Sequence, residues 1–262
     1  MARNGSRSIP VAWNAITRGG PFVPVLVVIA ATVAIAAAIQ ATMGFGFALV
    51  AVPIVAVVAD PKLAVVAMTA IGVPMTLWNT ARWRAHIQIG PMATVVGASL
   101  IGMPVGAIIL TRAPDRALTF AIGIVVLGLT AWLWRGLRLP SGPPTEITAG
   151  IASGALATST GTNGPPLVIA FQATGMERDA FRATLAGCFF VQGLVALVLF
   201  WAGGLLTRDV GAAFVVGVPA IIAGTLGGER LSTRLHGHAF RVAVLTLLGL
   251  SGALAIVGAM TS

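Results

Sequence analysis

Thirty consecutive residues, Ile147 to Met176, carry no charge. That is longer than the stretch of about 20 apolar residues a helix needs to cross a bilayer. Its centre, Ser159-Thr160-Gly161-Thr162-Asn163-Gly164-Pro165-Pro166, cannot be ordinary helix. Two glycines and a proline pair lower helix propensity, remove backbone donors and crowd the preceding turn. Apolar arms around a polar, glycine-rich break describe a discontinuous membrane helix. Such a break survives at membrane depth only where it is buried in protein or lines a cavity, so the break is the first place to expect a substrate site.

The rest of the chain is of one kind with this stretch. Charged residues divide it into eight apolar segments: Gly19–Ala59, Leu63–Ala81, Ala85–Thr111, Ala117–Trp134, Ile147–Met176, Ala183–Thr207, Val210–Gly228 and Val242–Ser262. Only 9% of the 262 residues are charged and mean hydropathy is +0.97, where a soluble domain carries about 25% charged residues. The class is an all-α polytopic membrane protein. The net charge of +9 sits at the ends of apolar runs, where it anchors helices and sets topology. Nucleic acid is therefore not the expected partner; the lipid bilayer is. Arg3, Arg7 and Arg18 precede the first apolar run, which is too long for a cleaved signal peptide. Residues 1–22 are expected to form a basic cytoplasmic tail on a protein of the cytoplasmic membrane. Cys188, the single cysteine, permits no disulfide framework and reads as a small packing residue.

Six segments fit one crossing each; the first and fifth are over-long. They fall in matching positions if the chain is two four-segment halves, and the first also has a glycine-rich centre at Gly44-Phe45-Gly46-Phe47. Shifted by 122 residues, Ala98, Gly102, Gly106, Thr111, Arg112, Ala117 and Ala121 fall on Ala220, Gly224, Gly228, Thr233, Arg234, Ala239 and Ala243. The expected layout is about eight transmembrane segments in two homologous halves, 23–134 and 147–262. Each half contains a Gly/Pro-broken helix, and a linker at 135–146 joins them. Matched interruptions of this kind point to a transporter site. The Gly102/Gly106 and Gly224/Gly228 pairs have instead the spacing of close helix packing. If each long segment crosses once, the halves are parallel; if each enters and returns, they are inverted. The sequence leaves both open.

A broken helix exposes N–H groups at the start of its second arm, and these donors bind anions with the help of the helix dipole. That arm is expected to begin near Asn163–Pro165, with Gly161 and Gly164 shaping the turn. Ser159, Thr160, Thr162 and Asn163 add hydroxyl and amide groups suited to oxyanions. Gly44 and Gly46 would face it from the other half, with Phe45 and Phe47 as walls or as plain packing. Gln40 and Gln172 flank the two breaks and either line the pathway or pair elsewhere; Asn79 and Gln192 read as interhelical hydrogen bonds. Arg182 either anchors the membrane end of its helix or attracts the anion. All seven acids lie at segment ends, which leaves no intramembrane carboxylate for a cation or proton site.

Gly44-Phe45-Gly46-Phe47-Ala48-Leu49-Val50-Ala51-Val52-Pro53 resembles the first motif of the TauE/SafE sulfite exporter family. Asn163 to Leu185, NGPPLVIAFQATGMERDAFRATL, is similar to its second. The resemblance extends from about Val25 to Met260. It implies a permease of two homologous halves, described for the family as inverted, acting on sulfite, sulfonates or other small organic anions. Where many members carry a run of glycines before the proline, this chain has Thr162-Asn163-Gly164, which bears on substrate identity.

The expected function is a secondary transporter moving a small organic or sulfur-containing anion; an anion channel and a non-transporting membrane scaffold or subunit are the alternatives. No HExxH, Gly-x-Ser-x-Gly or phosphate-binding loop is present. No catalytic residue, metal ligand or cofactor is therefore expected. The partners are a small anionic substrate and lipid, and a homo-oligomer is compatible with the chain.

Overall fold

Asp60 decides where one membrane helix ends and the next begins. Its carboxylate accepts the Leu63 N–H at 2.8 Å, and Pro61 occupies the first helical position, where its missing N–H costs nothing. The computed structural model describes residues 22–136, 140–232 and 238–261. The expected basic tail at 1–22 therefore lies almost wholly outside the described residues. No strand occurs among them.

The helices are α1 (Phe22–Met43), α2 (Phe47–Val58), α3 (Pro61–Arg82), α4 (Ile89–Arg112), α5 (Asp115–Arg135), α6 (Pro143–Ser159), α7 (Gly164–Ala173), α8 (Arg178–Ala202), α9 (Arg208–Ser232) and α10 (His238–Thr261). Both over-long segments are broken where the glycines fall, into α1/α2 and α6/α7. Six of the described helices, α1, α3, α4, α5, α8 and α9, are long and apolar enough to cross a membrane. Of the eight expected segments, the fifth is split into helices of 17 and 10 residues. The last has an apolar stretch of Val244–Met260. The expected linker is also shorter than read: Pro143 and Pro144 open α6, which Gly142 precedes, because proline is preorganised for a first helical turn.

The surface confirms the solvent. Val27, Ile101, Val198, Trp201, Val215 and Met260 are exposed, while Ser99, Ser153, Thr158, Thr184 and Gln192 are buried. This inversion of the soluble pattern suits a lipid-facing exterior around a hydrogen-bonded interior.

Glycines set the closest helix contacts and reveal relative direction. Gly224 lies on the backbone of Ala34 and Gly228 on that of Ala38, so α1 and α9 run side by side in the same sense. Gly102 lies on Ile151 and Gly106 on Ala155, so α4 and α6 also run in one sense. There Thr158 Oγ1 donates to the Met103 carbonyl at 2.6 Å. A side chain at any of these four glycines would collide with backbone, which is why small residues permit such contacts. The α5–α10 pair runs the other way, with Gly123 against Ile256 and Gly252 against Leu127.

Candidate functional site

The two breaks meet. At the first, the Gly44 N–H still donates to Gln40 O at 2.7 Å; then Gly44 (φ +85°) and Gly46 (φ +110°) turn the chain into α2. Only glycine takes such angles without strain. At the second, the Thr160 and Thr162 N–H groups both donate to Leu156 O, at 3.0 and 3.3 Å, and Gly161 adopts φ +68°. Gly161 rests against Val52 of α2, and Gly164 against Phe45 and Phe189.

Between them lies a cavity of about 80 Å³. Gln40, Gly46 and Phe47 line it from the first break, and Gly161, Thr162, Asn163 and Gly164 from the second. Helix α3 contributes Thr69, Gly72 and Thr76, and α8 contributes Phe189, Gln192 and Gly193. One water needs about 10–15 Å³ on such a measure, so the space suits a few waters or a small oxyanion and not a nucleotide-sized ligand. No charged side chain lines it.

Its polarity comes from helix ends and amides. The first-turn N–H groups of a helix have no intrahelical acceptor. In α2, the Phe47 N–H is met by Gln40 Oε1 at 3.1 Å, while Ala48 and Leu49 sit in the cavity wall with their first-turn donors. At α7 the second and third positions are Pro165 and Pro166, which have no N–H. The sequence placed the donors chiefly at Asn163–Pro165. In fact the proline pair strips that end, and α2 is the richer in donors. Both helix starts still bring the positive end of a dipole to the cavity.

Asn163 is held by a buried network. Its Nδ2 donates to Gln192 Oε1 at 2.7 Å, Gln192 Nε2 donates to Ser153 Oγ at 3.2 Å, and Ser153 Oγ donates to the Asn163 carbonyl at 3.0 Å. Gln192 is thus the interhelical hydrogen-bonding residue expected of it. Asn79 enters none of the described side-chain hydrogen bonds.

Of the fourteen residues singled out in the sequence, the cavity gathers Gln40, Gly46, Phe47, Gly161, Thr162, Asn163 and Gly164. The other seven are elsewhere. Phe45 is buried and packs on Gly164. Ser159 Oγ donates back to Ala155 O at 2.6 Å. Thr160 Oγ1 donates to Leu156 O at 3.2 Å and pairs with Thr162 Oγ1 at 2.7 Å. Pro165 is buried in the first turn of α7. Gln172 is exposed near the far end of that helix. Gly44 lies under the aliphatic stem of Arg182. Arg182 itself donates through Nη2 to Ala41 O at 2.6 Å, so its charge faces the negative end of α1. Arg182 ties α8 to the first break instead of entering the cavity.

Sequence reading missed Thr69, Gly72, Thr76 and Phe189. A signal existed for the first three: Thr69, Gly72 and Thr76 recur at the three- and four-residue steps of one helix face, small and polar within an apolar run. Nothing local, however, says which face of α3 meets both breaks.

No curated protein and no solved structure matches the chain. The family model for the sulfite exporter TauE/SafE matches residues 29–255, which takes in both breaks, the helices between them and nearly all of the described bundle. With its multi-pass apolar helices, the chain belongs to the sulfite exporter TauE/SafE family of membrane transporters.

Proposed function

We propose that the protein is a secondary transporter that moves a small sulfur-containing or organic anion, such as sulfite or a sulfonate, across the cytoplasmic membrane. One observation carries the reading. Two glycine-turned breaks far apart in sequence close on a single cavity, with neutral donors and no charged side chain. Preorganised N–H groups and helix dipoles stabilise an anion without the permanent counter-charge that would hold it too tightly to release.

In the same proposal the described helices form two halves of five, α1–α5 and α6–α10, related by inversion. The helix directions support it. Senses that alternate from α3 to α6 and from α8 to α10, combined with α1 parallel to α9 and α5 antiparallel to α10, put α1 and α3 in the same sense. The intervening α2 must then return, and α7 does so between α6 and α8. At about 18 Å and 15 Å, from 1.5 Å per residue, α2 and α7 are too short to span the hydrocarbon, which fits two hairpins entering from opposite faces. Rocking of one half against the other would open the shared site to each side in turn.

The test is uptake or efflux of sulfite and methanesulfonate by proteoliposomes, with Asn163→Ala alongside. Transport by the native protein, at least tenfold reduced in Asn163→Ala at equal incorporation, is expected. Equal fluxes in the two proteins, or none above empty liposomes, would overturn the reading.

A further inference from the structure

We infer that the cavity takes a singly charged oxyanion, hydrogensulfite in preference to the sulfite dianion, and rejects dianions of the same size. The inference rests on the anion-transport reading above and narrows its substrate class.

The charge limit follows from what surrounds the ligand. None of the lining residues is Lys, Arg or His, and the guanidinium of Arg182 is engaged at Ala41 O. The desolvation penalty of an ion scales with the square of its charge, so a dianion costs about four times as much as a monoanion to bury. Neutral donors must offset that cost, and they are few. Gln40 is 7% exposed; its Oε1 is held by the Phe47 N–H, and its Nε2 makes none of the described hydrogen bonds. Asn163 Nδ2 has one N–H left after serving Gln192. With the first-turn N–H groups of Ala48 and Leu49, these donors match one negative charge.

The proton follows from the hydroxyls. Thr69 Oγ1 donates to Val65 O at 2.8 Å. Thr76 Oγ1 is directed to both Gly72 O and Val73 O, at 3.1 and 3.0 Å. Thr162 Oγ1 is paired with Thr160 Oγ1 at 2.7 Å. The Thr69 and Thr76 hydroxyls have therefore committed their hydrogens to the protein and offer only acceptor capacity. An unprotonated oxygen meets such acceptors with repulsion, whereas a hydrogen-oxyanion donates to one of them and a sulfonate turns its apolar carbon toward them.

The experiment is binding to purified full-length protein by thermal shift and calorimetry, with three probes: sulfite across neutral pH, methanesulfonate as a fixed monoanion, and sulfate as a fixed dianion. Expected are methanesulfonate binding independent of pH, no sulfate binding, and apparent sulfite affinity falling tenfold per pH unit once the dianion predominates. Sulfate binding as tight as methanesulfonate, or sulfite binding that strengthens as pH rises, would overturn the charge limit while leaving the anion site standing. Failure of all three probes would remove the anion site and this inference together. The nearly isosteric Thr76→Val should weaken hydrogensulfite at least fivefold more than it weakens methanesulfonate. Equal weakening of both would overturn the acceptor role.

Discussion

Asn163 Nδ2 and Gln192 Oε1, both of residues that line the cavity, are joined by a 2.7 Å hydrogen bond. The bond crosses from the second break to α8 and fixes the orientation of the one amide that the break contributes. Gln192, at 1% exposure, is there to hold Asn163 and Ser153.

Replacing Gln192 by leucine keeps the volume and leaves Asn163 Nδ2 and Ser153 Oγ without that partner. Unsatisfied buried polar groups cost about 1–3 kcal/mol each. Gln192→Leu should lower the thermal midpoint and weaken anion binding together. An unchanged midpoint with unchanged binding would mean that Asn163 finds its orientation without help.

Arg182→Met retains the stem that covers Gly44 and removes the charged bond to Ala41 O. A hydrogen bond to a charged group is worth about 1.5–3 kcal/mol, so stability should fall by that order. Affinity for methanesulfonate should hold, because Arg182 does not line the cavity. Loss of affinity with no loss of stability would instead assign Arg182 to attracting the anion.

Gly102→Ala and Gly224→Ala should both be strongly destabilising. Their new methyl groups would meet the backbone at Ile151 and Ala34, and overpacking of this kind costs about 1–3 kcal/mol or more. Gly97→Ala, in the same helix as Gly102 but with nothing within 4 Å, should be neutral or stabilise by up to about 1 kcal/mol. Yields and melting temperatures of the three variants in detergent check this. Similar behaviour of Gly97→Ala and Gly102→Ala would deny the close α4–α6 contact.

Inverted halves separate Ser141 and Thr207, both exposed, to opposite faces of the membrane; parallel halves would put them on the same face. Cys188 is fully buried, so the native chain should not react with a membrane-impermeant maleimide. In intact cells Ser141→Cys and Thr207→Cys should label from opposite sides. Labelling of both from one side would exclude the inverted arrangement.

Much of this protein was legible before any coordinates. Charge-free runs longer than about 20 residues admit only helices or barrels in lipid, so the helical membrane class followed from Ile147–Met176 and its neighbours. Glycine and proline remove specific backbone options, so the breaks at Gly44–Gly46 and Gly161–Pro166 could be placed to within a few residues. Local chemistry also assigned Gln192 to a hydrogen bond and Gly102/Gly106 and Gly224/Gly228 to packing. The tertiary structure decided the rest. It alone brings Gly164 onto Phe45, turns the Thr69–Thr76 face of α3 toward both breaks, and points Arg182 at Ala41 O, away from the cavity. Those outcomes depend on which helix faces which and in what direction. In lipid, apolar faces are nearly equivalent in energy, and close backbone contacts and buried hydrogen bonds make that choice.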